Sequence, residues 1–280
     1  MQIGTMDGTI VRPTLDEMLD AVAGYGIYHM QFNLGRAGLP ELLEQTDPRL
    51  WDRIRAEFDA RNMTIAALGG QYNMIHPDVQ KRREGLQRLR VLASACDRLG
   101  TSVITLCTGT RDPTNMWRRH PDNDLPEAWT DLIASMRQAV QIAEEFGVTL
   151  AFEPEVSNVV DSAQKAHRLL DEIGSPHLGV TMDGANIFHA GELPRMREML
   201  DEAFALLGPD VAIAHAKDLD RDGEAGHLPA GKGLLDYEHY LSLLSKLDFD
   251  VPVILHGLTE SELPESLAFI QQKMQAIEEQ

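Results

Sequence analysis

Short apolar runs alternating with longer amphipathic stretches, eight of each, predict an α/β protein built as a single closed (β/α)8 barrel. Three observations carry the prediction. The runs are continuously apolar rather than alternating, as parallel strands covered on both faces must be. A chain of 280 residues, 43% of them hydrophobic, is long for an ordinary domain but normal for such a barrel, so one domain spanning 1–280 is expected. The rival architecture, an open doubly wound sheet that binds dinucleotides, opens its first helix with G-x-G-x-x-G, which is missing here.

The elements follow in order. Gln2 to Met6 is a first short strand, and Thr14 caps a helix running to about Ala23, with Glu17 in the capping-box position. Gly24 and Gly26 separate it from a second strand at about Ile27 to Phe32. A helix from about Pro48 to Arg61 leads to a third strand, Met63 to Leu68. The next helix, about Val79 to Leu99, stops at Gly100, the residue type that commonly follows a helix end, and SVITLC is the fourth strand. After Cys107 comes the longest irregular piece, then a helix from about Glu127 to Phe146 with Gly147 behind it. The fifth strand, Val148 to Phe152, precedes a helix from about Ser162 to Ile173 whose apolar residues recur at helical spacing. HLGVTMD, VAIAHA and VPVILH are strands six to eight, with helices at about Leu193 to Leu206, Asp236 to Leu247 and Glu262 to Ile277.

Composition removes several classes of function. A net charge of −19 opposes the phosphate attraction that drives nucleic-acid binding, and opposes an anionic membrane surface equally. The first residues carry no basic segment followed by an apolar one, and no apolar run approaches the ~18 residues of a membrane span. Cys96 and Cys107 form no disulfide framework and sit in no Cys/His cluster. A cytoplasmic protein without nucleic-acid or membrane partners is expected.

The strand ends carry the chemistry. VTLAFEPE finishes in two carboxylates, Glu153 and Glu155, and residues two apart on a strand project to the same side. Two like charges held that close require a cation, a shared proton or water. GVTMD ends in Asp183, VAIAH in His215 and VPVILH in His256. Singly, each has a structural explanation: a surface-reaching strand, a turn cap, a satisfied core histidine. In a parallel barrel, however, all carboxyl ends share one rim, so the four converge. Oxygen and imidazole donors of this kind suit one divalent ion, Mn²⁺ first and Co²⁺, Fe²⁺ or Zn²⁺ next.

FEPE, GVTMDGAN, HAKD and the HLPAGKGLLDY segment resemble the xylose isomerase-like TIM barrels, specifically the sugar phosphate isomerase/epimerase group, over essentially the whole chain. The resemblance implies a metal held by a Glu at strand five, an Asp at strand six, a His at strand seven and a Glu at strand eight. Glu153, Asp183 and His215 match; strand eight ends in His256, which leaves either an imidazole ligand or a water in the fourth place. The implied chemistry is removal of a proton beside a carbonyl, with the metal stabilising the enediolate. With the second glutamate absent, Glu155 becomes a candidate base or supporting partner and His256 its competitor.

Further rim residues are candidates for substrate contact. Lys217 would lie on the side of His215 and meet a substrate oxygen or carboxylate, unless it pairs with Asp218. Asn73, His76, Asn186 and His189 follow strands three and six. The long fourth loop reads as a lid in which Trp117 shields a sugar face and Arg111 receives an anionic group, alongside Arg118, Arg119 and His120. Arg221, His227 and Lys232 fall near the same rim, although PAGKG lacks Walker spacing and makes no phosphate cradle.

The leading expectation is a metal-dependent isomerase or epimerase of a keto-sugar or related polyol. The rival is a lyase or dehydratase of a keto-polyol or 3-keto-sugar, which shares the proton removal but then expels a β-substituent. An apurinic DNA endonuclease of the same broader group would need a basic face and more ligands for about three metals. A non-catalytic sugar-binding barrel would leave the four strand ends without explanation. A homo-oligomer is compatible with the sequence.

Overall fold

In the computed structural model, which describes residues 1–38 and 47–279, eight parallel strands close into a barrel. They are β1 (Gln2–Met6), β2 (His29–Phe32), β3 (Thr64–Gly69), β4 (Val103–Cys107), β5 (Thr149–Glu153), β6 (Leu178–Asp183), β7 (Val211–Asp218) and β8 (Pro252–Leu255). Each pairs with the next, and β8 closes the ring by pairing with both β7 and β1. A two-residue strand, Leu228–Pro229, pairs antiparallel with the end of β7, outside the ring.

The helices between them are α1 (Leu15–Gly24), α2 (Pro48–Asp59), α3 (Val79–Leu99), α4 (Pro126–Phe146), α5 (Ala163–Ile173), α6 (Met196–Leu207), α7 (Tyr237–Leu244) and α8 (Leu263–Glu278). Side-chain caps set several starts: Thr14 accepts from the Glu17 amide, Asp78 from that of Gln80 and Ser162 from that of Lys165. Gly100, Gly147 and Gly174 end α3, α4 and α5 in the left-handed conformation. Several expected boundaries move by two or three residues: the second strand starts at His29, the seventh runs on to Asp218 and α7 ends at Leu244. α2 stops at Asp59 because the chain reverses through Asn62 at φ 54, and the helix expected from Leu193 begins as a 3-10 turn, Leu193–Arg195, before α6.

Most of the core lies between the strands and the helices, where Trp51, Phe58, Phe152, Tyr237 and Tyr240 are buried. Inside the ring sits a small separate plug, Ala67, Ala151, Ile213 and Ile254. This plug positions the site. Two residues further along β5, β7 and β8, on the same face because strands have period two, come Glu153, His215 and His256. Small apolar side chains thus fill the barrel up to one layer, and the next layer at the carboxyl end carries the metal-binding residue types.

Candidate functional site

Cys107, Trp117, Glu153, Glu155, Asn158, Asn186, Lys217, Ala225 and His256 line a cavity of about 210 Å³ at the carboxyl rim. Asp183 closes β6 beside it, completely buried. Its Oδ1 accepts the Ala185 amide, so the turn-capping role does exist, and Oδ2 makes no side-chain hydrogen bond of good geometry but faces the Lys217 ammonium at 3.0 Å. The ring nitrogens Nδ1 of His215 and His256 are buried and unpartnered. Among the described residues, Asp183, His215 and His256 each offer a ligand atom, all within 4.8 Å of one another. Glu153 stands beside them, its Oε1 3.6 Å from His215 Nδ1, the same distance that separates Nδ1 from Asp183 Oδ2.

Buried polar atoms are nearly always paired, and leaving one unpaired costs about 1–3 kcal/mol. Two such imidazole nitrogens converging on a carboxylate oxygen from a third strand are the donor set a divalent ion takes. The residues fit the group that the strand ends predict. They do so with His256 inside the cluster, its ring 4.9 Å from that of His215 in an edge-on arrangement.

The electrostatics are tightly balanced. Burial alone would raise the Asp183 carboxyl, yet Lys217 and His215 hold it well below the usual range. Burial would lower His215, but Glu153 and Asp183 overcome it and push the ring up to about 9. Lys217, buried against Asp183 at 3.0 Å, is raised in the same way by Asp183 and Glu153. His256 goes the other way, its ionisation lowered by burial and by the neighbouring His215 and Lys217. It is the neutral imidazole of the group.

Glu155 lies past the end of β5, in the turn that follows, and still reaches the cavity wall. Both its oxygens are taken, Oε1 by the Ser157 amide at 2.9 Å and Oε2 by Asn158 Nδ2 at 2.6 Å. Burial and the Glu153 charge raise its carboxyl. Glu153 accepts one hydrogen bond, from Asn186 Nδ2 at 2.5 Å, and Asn186 is in turn fixed by the Gly226 amide. Lys217 pairs with Asp183 and not with Asp218, whose oxygens accept the amides of Leu219, Gly231 and Leu235.

Other expected contacts fall elsewhere. Asn73 spends its amide on Thr110 and Ile75, and His76 bonds Pro113 and Asp78, so both hold loops together and neither lines the cavity. Arg111 is drawn away from the mouth to Asp131 at 2.7 Å and the Ile75 carbonyl. His189 lies 3.8 Å from Asp161, outside the cavity lining. The basic fourth loop is neutralised from within, Arg118 by Asp112 and Arg119 by Asp124 and Asp161, and Asp112 accepts from Thr114 and Asn115. Of the residues in this loop expected to form a lid, Trp117 lines the cavity. Arg221, His227 and Lys232 pair with surface acids.

The site also contains residues that strand-end reasoning passes over. Gln31, in the apolar run of β2, bonds His215 Nε2 through Oε1 at 2.9 Å. A polar residue inside a buried strand was the available signal. Cys107, Asn158 and Ala225 carry no chemical pattern that the sequence marks out.

Residues 19–273 match the xylose isomerase-like TIM barrel family, and the chain belongs to it. Similar solved structures share the fold at low identity. A D-tagatose 3-epimerase-like protein superimposes with a TM-score of 0.78 at 14% identity, over 100% of this chain and 99% of the other. The IOLI protein, with a binding zinc atom, gives 0.72 at 16%, over 99% and 98%. The probable 3-DHS dehydratase AsbF from Bacillus anthracis gives 0.74 at 12%, over 98% and 99%.

Proposed function

We propose that this barrel holds one divalent metal ion through Asp183, His215 and His256, with Glu153 beside them, and isomerises or epimerises a small keto-sugar or related polyol. The observation that carries the reading is the convergence of two buried, unpartnered imidazole nitrogens on Asp183 Oδ2, whose one close partner is the Lys217 ammonium, next to a carboxylate with a free oxygen. A bound ion would supply Lewis-acid polarisation of a carbonyl oxygen. The ligand set of carboxylate and imidazole suits Mn²⁺, Co²⁺, Fe²⁺ or Zn²⁺. The IOLI protein's zinc and the epimerase-like neighbour accord with this reading.

The chain's own residues provide the rest. Glu153 takes the proton from the carbon beside the carbonyl, held in line by its hydrogen bond from Asn186. In isomerisation the same carboxylate returns that proton to the neighbouring, former carbonyl carbon on the same face, while the substrate hydroxyl gives its proton to the former carbonyl oxygen as the carbonyl changes place. Inversion at one carbon requires a second proton carrier on the opposite face, and with His256 engaged as a ligand Lys217 is the cavity residue able to serve. Glu155, with both oxygens engaged, fixes Asn158 and the wall. Trp117 covers the mouth as an apolar platform. A cavity of about 210 Å³ lies below the ~300 Å³ at which drug-sized pockets begin, which favours a small substrate.

A specific observation favours a second reading, dehydration of a keto-polyol. The cavity presents one carboxylate with a free oxygen, and syn elimination needs one proton carrier: Glu153 would take the α-proton and hand it to the departing β-hydroxyl, which leaves as water. The dehydratase among the similar structures accords with it. Incubating the metal-supplemented protein with a panel of keto-sugars and keto-polyols, followed by mass spectrometry, separates the two. An isomer of unchanged mass, absent with Glu153→Gln, supports the first reading; loss of one water supports the second; no turnover across the panel counts against both.

A further inference from the structure

We propose that Gln31 is a positioning residue that fixes the proton of His215 on Nε2 and so leaves Nδ1 as the nitrogen available to a divalent ion. The proposal rests on the metal reading of the site and extends it to a residue outside the ligand group.

The argument is an inventory of protons. The Thr105 hydroxyl has one hydrogen and donates it to the Leu68 carbonyl at 3.3 Å. Its two lone pairs are filled by Gln31 Nε2 at 3.1 Å and Gln71 Nε2 at 2.8 Å. With its hydrogen on Leu68 the hydroxyl can only accept from Gln31, which sets the nitrogen end of the Gln31 amide toward Thr105 and the oxygen end toward His215. A carbonyl oxygen only accepts. At 2.9 Å from Gln31 Oε1, His215 Nε2 must therefore carry hydrogen, whether the ring is neutral or charged.

The reverse arrangement costs a bond at Thr105 and moves the proton at His215. Turning the amide round would set two acceptors against each other at Thr105 unless the hydroxyl abandoned Leu68. It would also present an N–H to His215 Nε2, forcing the neutral ring to carry its proton on Nδ1, the atom that faces Asp183 and Glu153. Gln31 is fully buried, so no bulk water can repair a wrong choice. The backbone is shaped for the contact as well. Pairing between β2 and β3 slips by one residue between Met30 and Gln31, an irregularity of the kind that re-aims a side chain beside a site.

Zn²⁺ affinity, measured by competition with a chromogenic chelator, tests the proposal. Gln31→Leu, similar in volume but without the acceptor, should bind about 10–100-fold more weakly than wild type. Gln31→Glu, which keeps an acceptor facing Nε2–H but turns the Thr105 hydroxyl away from Leu68, should recover most of the affinity that Gln31→Leu loses. Circular dichroism of the metal-free variants checks folding. ¹⁵N NMR of histidine-labelled wild type, assigned with His215→Ala, needs no Gln31 variant and should find the single proton of the neutral ring on Nε2, both with Zn²⁺ bound and in the metal-free protein at a pH above about 10 where the ring is uncharged. Equal affinity in Gln31→Leu, or a bare Nε2, overturns the proposal. If Nε2 is protonated but wild type takes up no Zn²⁺, the metal reading fails and the proton placement by Gln31 stands.

Discussion

Lys217 Nζ lies 3.0 Å from Asp183 Oδ2, and both side chains are buried at the carboxyl end of adjacent strands. The pair explains how a carboxylate survives there in the metal-free chain. Removing one partner of a buried ion pair leaves the other uncompensated, at a cost of about 3–5 kcal/mol. Lys217→Met should lower the stability of the metal-free protein by that order in a denaturant titration, and Zn²⁺ should recover part of the loss by giving Asp183 another cation. A loss under about 1 kcal/mol would mean that His215 alone neutralises Asp183.

The ligand group makes a sharper claim about metal content. Asp183→Ala, His215→Ala and His256→Ala should each abolish the roughly one ion per chain expected of a mononuclear site, whereas Glu155→Ala should retain it, because both Glu155 oxygens already serve the wall. Elemental analysis of the purified variants reads this directly. Retention of metal in His256→Ala would remove His256 from the ligand set and leave it to the substrate.

How far the sequence reaches can be seen in these same residues. The barrel was legible because each strand is apolar on both faces and each helix is punctuated, as Asp78 and Gly100 bracket α3. Asp183, His215 and His256 were legible because strand parity and a shared rim bring strand ends together. Glu155 reaches the cavity, but through a turn and not along the strand. Arg111 and Asn73 were misplaced because their partners, Asp131 and Thr110, are tertiary: nothing in the local pattern says that an arginine in a loop will turn away from the mouth to meet an acid on α4. Gln31 was missed because its role comes from Thr105, 74 residues away.

Arg111 itself yields a prediction. Asp131 Oδ2 is shared between Arg111 at 2.7 Å and Arg82 at 2.8 Å, tying the fourth loop and α3 to α4. Arg111→Met should reduce stability by about 1–3 kcal/mol, the scale of a lost charged hydrogen bond in a part-buried place. Once a substrate is in hand, its KM should stay within about twofold of wild type, that is within ~0.4 kcal/mol. A KM rise of tenfold or more with stability unchanged would return Arg111 to substrate binding.

The two thiols should be inert while the chain is folded. Burial pushes Cys96 up to about 12 and raises Cys107 further, with the Glu155 and Glu153 charges adding to the latter. Only the thiolate attacks a disulfide reagent, so at pH 8 both remain protonated in the native state. Ellman's reagent should titrate neither thiol before denaturation and both after it. Rapid labelling of one thiol in native protein would show that the cavity opens at Cys107, since that side chain lines it and Cys96 does not.

Gly85 sets helix propensity against packing inside α3. Replacing a mid-helix glycine by alanine ordinarily gains up to ~1 kcal/mol. Here an added Cβ would fall 2.1 Å from Cδ2 of the Tyr72 ring, which is itself buried. A ring cannot yield like the tip of a flexible chain, so the strain of overpacking, about 1–3 kcal/mol, outweighs the propensity gain. Gly85→Ala should therefore destabilise the protein in a thermal melt, and the double variant Gly85→Ala with Tyr72→Leu should recover part of the loss by clearing the ring. If Gly85→Ala alone raises the melting temperature, α3 has room to shift away from Tyr72, and the contact that appears to fix the helix over the third strand's loop is not the one that holds it.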